Sequence, residues 1–97
     1  MTTYFITRHP GALDWAQAQG IHWDRHVAHL EIHEIAAGDI VIGSLPVHLA
    51  AEVCALGARY FNLSLDLLAH QRGRELDAAT LEASNARLEE YFVRKLP

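Results

Sequence analysis

Arg8-His9-Pro10-Gly11 closes the apolar stretch Tyr4-Phe5-Ile6 and opens a helical pattern. A guanidinium and an imidazole are thereby set where a helix presents unpaired N–H groups and the positive end of its dipole, which together make an anion site. Arg8 can hold a phosphate through a forked pair of hydrogen bonds, and His9 can move a proton near neutral pH. Pro10 suits a first helical turn, where its missing donor costs nothing. Gly11 admits a ligand to the backbone with no Cβ in the way. The same residues also read as an ordinary strand-to-helix turn with an exposed histidine, and a motif this short does not choose between the two.

A second turn follows the same grammar. Gly43-Ser44-Leu45-Pro46 ends the run Ile40-Val41-Ile42 and starts another helical pattern. Ser44 is read as the N-cap of that helix and, compatibly, as a phosphate ligand. Its flanks do not make the Gly-x-Ser-x-Gly elbow of a hydrolase nucleophile. His48, early in the helix, is expected to line the same rim. Arg72 and Arg74 flank Gly73 in a later loop, placed either to swing over the rim or to face solvent.

Seven histidines keep acid–base or metal chemistry in view. His22, His26, His29 and His33 are spaced by four, three and four, which on a helix would align them on one face. Alternation of Ala28, Leu30 and Ile32 with His29, Glu31 and His33 favours a strand over residues 26–34 instead, its polar side toward solvent as on a sheet edge. On such a strand His29, Glu31 and His33 could share a cation. The further ligand and supporting shell that a metal site needs are not identifiable, so a solvated face is preferred and no metal is expected.

These residues need a frame that brings both turns to one edge. Residues 3–8 read as a first strand and 10–19 as a helix stopped by Gly20. Residues 36–39 read as a turn, 40–42 as a strand buried on both faces, about 46–56 as a helix, and 59–65 as a strand. Residues 66–76 read as a loop. Asp77 then caps a final helix to about Arg94, with Leu81, Leu88 and Phe92 as its buried stripe. Repeated strand–helix units predict a small Rossmann-like α/β domain spanning residues 1–97, with a mostly parallel sheet and helices on both faces. Ligands bind such sheets at the carboxyl ends of the strands, where both turns lie.

Composition narrows the partners. The chain has 97 residues, 51% apolar, enough to fold around a core. Its net charge is −4, and Lys95 is the sole lysine among eight basic residues. A protein that coats duplex nucleic acid carries a basic face, so none is expected here. An anionic partner would be small, gripped by a few arginines and by amides. Cys54, the single cysteine, excludes an internal disulfide, agrees with a reducing cytoplasm, and is read as a small core residue. No apolar run approaches the ~20 residues that span a bilayer, and no basic-then-apolar leader pattern is visible.

Residues 3–12, 42–54 and 72–76, taken in order, resemble the CRISPR-associated Csx family numbered sixteen, and the resemblance covers nearly the whole chain. It implies a Rossmann-like homodimer without cofactor or required metal. It further implies a ring nuclease, an enzyme that cuts cyclic oligoadenylate messengers, chiefly cyclic tetra-adenylate, and silences type III antiviral signalling. The Arg8-His9 pair is also similar to the Arg-His-Gly turn of histidine phosphatases, but Pro10 replaces the glycine and those chains are much longer.

On chemical grounds a ribose 2′-hydroxyl would attack its adjacent phosphorus, leaving linear products with a 2′,3′-cyclic phosphate. Arg8 is then expected to stabilise charge at phosphorus and His9 to transfer a proton. Pro10, Gly11, Gly43, Ser44, Leu45 and His48 are expected to form the cradle, and Arg72 to close over it. Two such rims would meet at the dimer axis to match a two-fold ligand. A non-catalytic module that sequesters or senses the messenger needs the same cradle, and a metal-dependent phosphatase built on the histidine strand is the third class.

Overall fold

Three strand-forming segments, the first two each apolar and followed at once by a turn and an amphipathic segment, set the architecture. In the computed structural model, which describes residues 1–66 and 76–97, these become β1 (Thr3–Ile6), β3 (Ile40–Gly43) and β4 (Arg59–Ser64). α1 (Pro10–Ala18) follows β1, and α2 (Val47–Ala55) follows β3. β2 (Arg25–Val27), a 3₁₀ turn (Ile32–Glu34), α3 (Ala78–Ala83) and β5 (Arg87–Tyr91) complete the described elements.

The strand order is β2-β1-β3-β4-β5, parallel except for β5, which pairs antiparallel with β4. This is the expected Rossmann-like α/β arrangement, with helices on both faces. On one face α1 and α3 cover Phe5, Ile42 and Leu63. On the other, α2 and the 3₁₀ turn cover Tyr4, Ile6, Val41 and Tyr60. β1 and β3 are apolar on both sides because both sides are covered. Trp15 Nε1–H donates to Glu82 Oε2 at 3.2 Å, tying α1 to α3. Cys54, on the inner face of α2, is buried in the core, as expected.

Two segments differ from the sequence expectation. The strand over residues 26–34 does not form: pairing with β1 covers only Arg25–Val27, because β1 itself ends at Ile6. Beyond that the chain bends, and Leu30 and Ile32 reach the core from a bend and a 3₁₀ turn instead of from alternate strand positions. The strand is at the sheet edge as predicted. Without an extended backbone over residues 29–33, however, His29, Glu31 and His33 are not aligned to share a cation. Among the described residues no three His, Cys, Asp or Glu side chains converge.

The final helix stops at Ala83. Ser84 is its C-cap, and Asn85 adopts the left-handed conformation, φ 56°, which ends a helix in the manner usual for glycine or asparagine. The chain then returns as β5, so Leu88 faces Leu63 across the ladder and Phe92 is 79% exposed. The stripe of Leu81, Leu88 and Phe92 is therefore not one. Asp77 caps α3 as expected, its carboxylate accepting the Thr80 N–H at 2.7 Å.

Candidate functional site

Strand register brings the two turns together. Ile6 of β1 pairs with Gly43 of β3 and, on its other side, with Val27 of β2. Arg8-His9, Ala28-His29 and Ser44-Leu45 therefore leave the sheet side by side from the carboxyl ends of three adjacent parallel strands. Between them lies a cavity of about 700 Å³. Its buried walls are apolar: Ile6, Leu63, Leu76 and Leu81. Its mouth carries Thr7, Arg8, His9, His29 and Ser44. Such a space, greasy within and ringed by a few polar groups, is of the size and kind that holds a small organic ligand.

The first turn keeps its functional groups clear of the fold. His9 is the N-cap of α1, and its own N–H donates to Thr7 Oγ1 at 3.1 Å. Among the described residues neither the Arg8 guanidinium nor the His9 ring has a hydrogen bond or an ion pair. Pro10 stands at the first helical position, as expected. Gly11 is buried for a reason the sequence did not suggest. A Cβ there would lie 2.1 Å from the Leu76 carbonyl oxygen and 2.6 Å from Asp77 Cα, so the glycine makes room for the chain's own backbone.

The second turn is held by its polar atoms. Ser44 Oγ–H donates to the Leu63 carbonyl at 2.8 Å, and the Leu45 N–H donates to Tyr60 Oη at 3.0 Å. Tyr60 Oη lies 3.2 Å from the Gly43 carbonyl and 2.5 Å from Asn62 Oδ1, whose amide in turn donates to Ser64 Oγ at 2.9 Å. Burial pushes the Tyr60 phenol above its ordinary range, so it stays protonated as a donor. Ser44 is not the helix N-cap: Pro46 occupies that position, without a side-chain cap bond. Gly43 is needed because a Cβ would sit 2.8 Å from the Ile6 carbonyl oxygen.

Of the expected site residues, Arg8, His9, Ser44 and Leu45 surround the cavity. Pro10, Gly11 and Gly43 shape the two turns without lining it. His48 lies elsewhere, in a groove of about 650 Å³ between α2 and the segment from Phe92 to Lys95. Arg72, Arg74 and His70 lie outside the described residues. Sequence reasoning missed Tyr60, whose alternation with Asn62 and Ser64 on one face of β4 was the available signal. It also grouped His29 with a strand face instead of with His9.

A family model described as "Putative CRISPR-associated protein (Cas_VVA1548)" matches residues 4–94. No curated protein matches the chain, and no solved structure matches it.

Proposed function

The chain belongs to that CRISPR-associated family, and from this premise we propose that it is a ring nuclease of type III defence that opens cyclic oligoadenylates. The observation that carries the reading is the register: Ile6 opposite Gly43 sets Arg8 and His9 beside Ser44 and Leu45 at one cavity. The likeness of residues 3–12, 42–54 and 72–76 to the Csx family numbered sixteen supports the same activity and names cyclic tetra-adenylate as the preferred ring. In this reading an adenine rests against the apolar walls while the adjoining phosphate lies at the mouth, near Arg8 and the positive end of α1. A cavity of about 700 Å³ takes only part of a four-nucleotide ring, so two protomers would each contribute one, related by the two-fold axis the ring also possesses.

The reaction needs no outside nucleophile. A ribose 2′-oxygen bonds to the neighbouring phosphorus as its proton leaves, and the bond from phosphorus to the 5′-oxygen breaks as that oxygen gains a proton. The products are a linear adenylate with a free 5′-hydroxyl and a 2′,3′-cyclic phosphate. Arg8 offsets the extra negative charge on the phosphoryl oxygens, and holding the 2′-oxygen in line supplies much of the rate. His9 handles one of the two protons.

The test is incubation with cyclic tetra-adenylate in EDTA at stoichiometric protein, followed by identification of products. Linear species ending in 2′,3′-cyclic phosphate support the activity. Intact ring, bound but not cut, would leave a sequestering or sensing module, and turnover abolished by the chelator would point to a metal-dependent phosphodiesterase instead.

A further inference from the structure

Cleavage by the ligand's own hydroxyl moves two protons at opposite ends of a breaking and a forming bond. One comes off the 2′-oxygen and one goes onto the 5′-oxygen, and in-line displacement puts those atoms on opposite sides of phosphorus. A single imidazole on one wall is poorly placed for both. The second group should come from a different strand end, face the same cavity, and carry a nitrogen or oxygen that can act as general acid or base.

His29 meets each condition. The pairing of Ile6 with Val27 sends the chain out of β2 at the same level as it leaves β1. The Thr7 N–H donates to the Val27 carbonyl at 3.1 Å, and a His26 ring nitrogen lies 2.9 Å from the Thr7 carbonyl, so the two strand ends are tied together just before they diverge. The bend that replaces the expected strand then anchors Leu30 against the core and leaves His29 lining the cavity with Arg8 and His9. His26, His22 and His33 do not line it.

We propose that His29 is the second proton carrier of the site, acting on the oxygen that His9 does not serve. This rests on the ring-nuclease reading above. The 2′-oxygen's proton passes to one imidazole, the other imidazole gives its proton to the departing 5′-oxygen, and solvent exchange restores both, so no co-reactant is consumed.

Two substrates test it on the intact protein: cyclic tetra-adenylate, and the same ring with sulfur in place of each 5′-bridging oxygen. A thiolate leaves without being protonated, so the sulfur ring dispenses with the acid but still needs the base. On the natural ring, His29→Ala and His9→Ala should each lower single-turnover rate by about 10²–10⁴-fold while ring binding, measured by titration calorimetry, stays within a few fold. On the sulfur ring, one of the two variants should recover and the other should not. Rescue of both or of neither, or a His29→Ala protein that cuts the natural ring at the wild-type rate, would overturn the role of His29. A wild-type protein that cuts neither ring would sink the nuclease reading itself, a result separable from those.

Discussion

The two ends of the parallel sheet treat their charged groups in opposite ways. At the amino ends, Asp39 accepts the Thr2 and Ala36 N–H groups, each at 2.9 Å, and Asp24 Oδ2 accepts the Thr3 N–H at 2.8 Å. These carboxylates satisfy backbone donors where β1 and β3 begin, so their charge is spent on the fold. At the carboxyl ends, Arg8, His9 and His29 ring a cavity and have no such bonds among the described residues. A guanidinium and two imidazoles are left facing the cavity. In the proposed reading the amino-end carboxylates serve the fold while Arg8, His9 and His29 serve the ligand, so each set can be perturbed alone.

The largest effect should come at the carboxyl end. His9→Ala is expected to cut turnover of cyclic tetra-adenylate by about 10²–10⁴-fold, with a urea midpoint close to wild type. A comparable loss of stability would place His9 in the structural class and dissolve the contrast.

Gly11→Ala should break the separation, because this residue serves both ends of the argument. Its Cβ would meet backbone, not a movable side chain, so α1 must shift or the segment at Leu76 must yield. Overpacking of this kind costs about 1–3 kcal/mol and occasionally more. Since α1 carries His9 at its start, urea unfolding and turnover should fall together. Loss of turnover at unchanged stability would instead favour the ligand-contact role that the sequence suggested.

How far the sequence could be read follows the same division. The β1–α1 and β3–α2 units and the strand β4 were legible to within a residue or two at most ends; β1 and β3, covered on both faces, read as continuous apolar runs. Failures fell where local pattern and tertiary pairing disagreed. Residues 28–33 alternate as a strand would, yet β1 offers no partner beyond Ile6. Leu81 and Leu88 recur at helical spacing, yet Asn85 between them turns left-handed; reading Ser84-Asn85 as a helix stop would have recovered β5. At the site, the turns and the residues Arg8 and His9 were visible as motifs. The convergence of His29 was not, since it depends on where an edge strand stops pairing.

At the amino end, Asp39→Asn should lower stability by about 1–3 kcal/mol, the cost of weakening a buried acceptor of two backbone N–H groups, without changing the cleavage rate of folded protein. It should also alter the acid limb. Backbone N–H donation from Ala36, then Thr2, holds the Asp39 carboxyl below its ordinary value of 3.8. A depressed folded value means the stabilisation is complete above the unfolded value and is lost as pH falls through the folded one. Asp66 and Asp77 are shifted the same way, by Asn85 with Arg87 and by Thr80 respectively. Urea midpoints collected below pH 4 should therefore fall less steeply in Asp39→Asn than in wild type. Parallel curves would mean that Asp39 does not carry this part of the acid sensitivity.

Ser44→Ala gives the smallest effect and the sharpest check on the division, since Ser44 stands at the chemical end but is bonded like a structural residue. Its hydroxyl donates to the Leu63 carbonyl and joins the ends of β3 and β4, while its backbone N–H, the group that a phosphate would use, survives the substitution. Loss of one such hydrogen bond costs about 0.5–1.5 kcal/mol, so the urea midpoint should drop slightly and calorimetric affinity for cyclic tetra-adenylate should hold within a few fold. If affinity falls tenfold while stability is unmoved, the hydroxyl belongs to the ligand and not to Leu63. The second turn would then be, like the first, a presenter of chemistry and not a fixed wall against which the first one works.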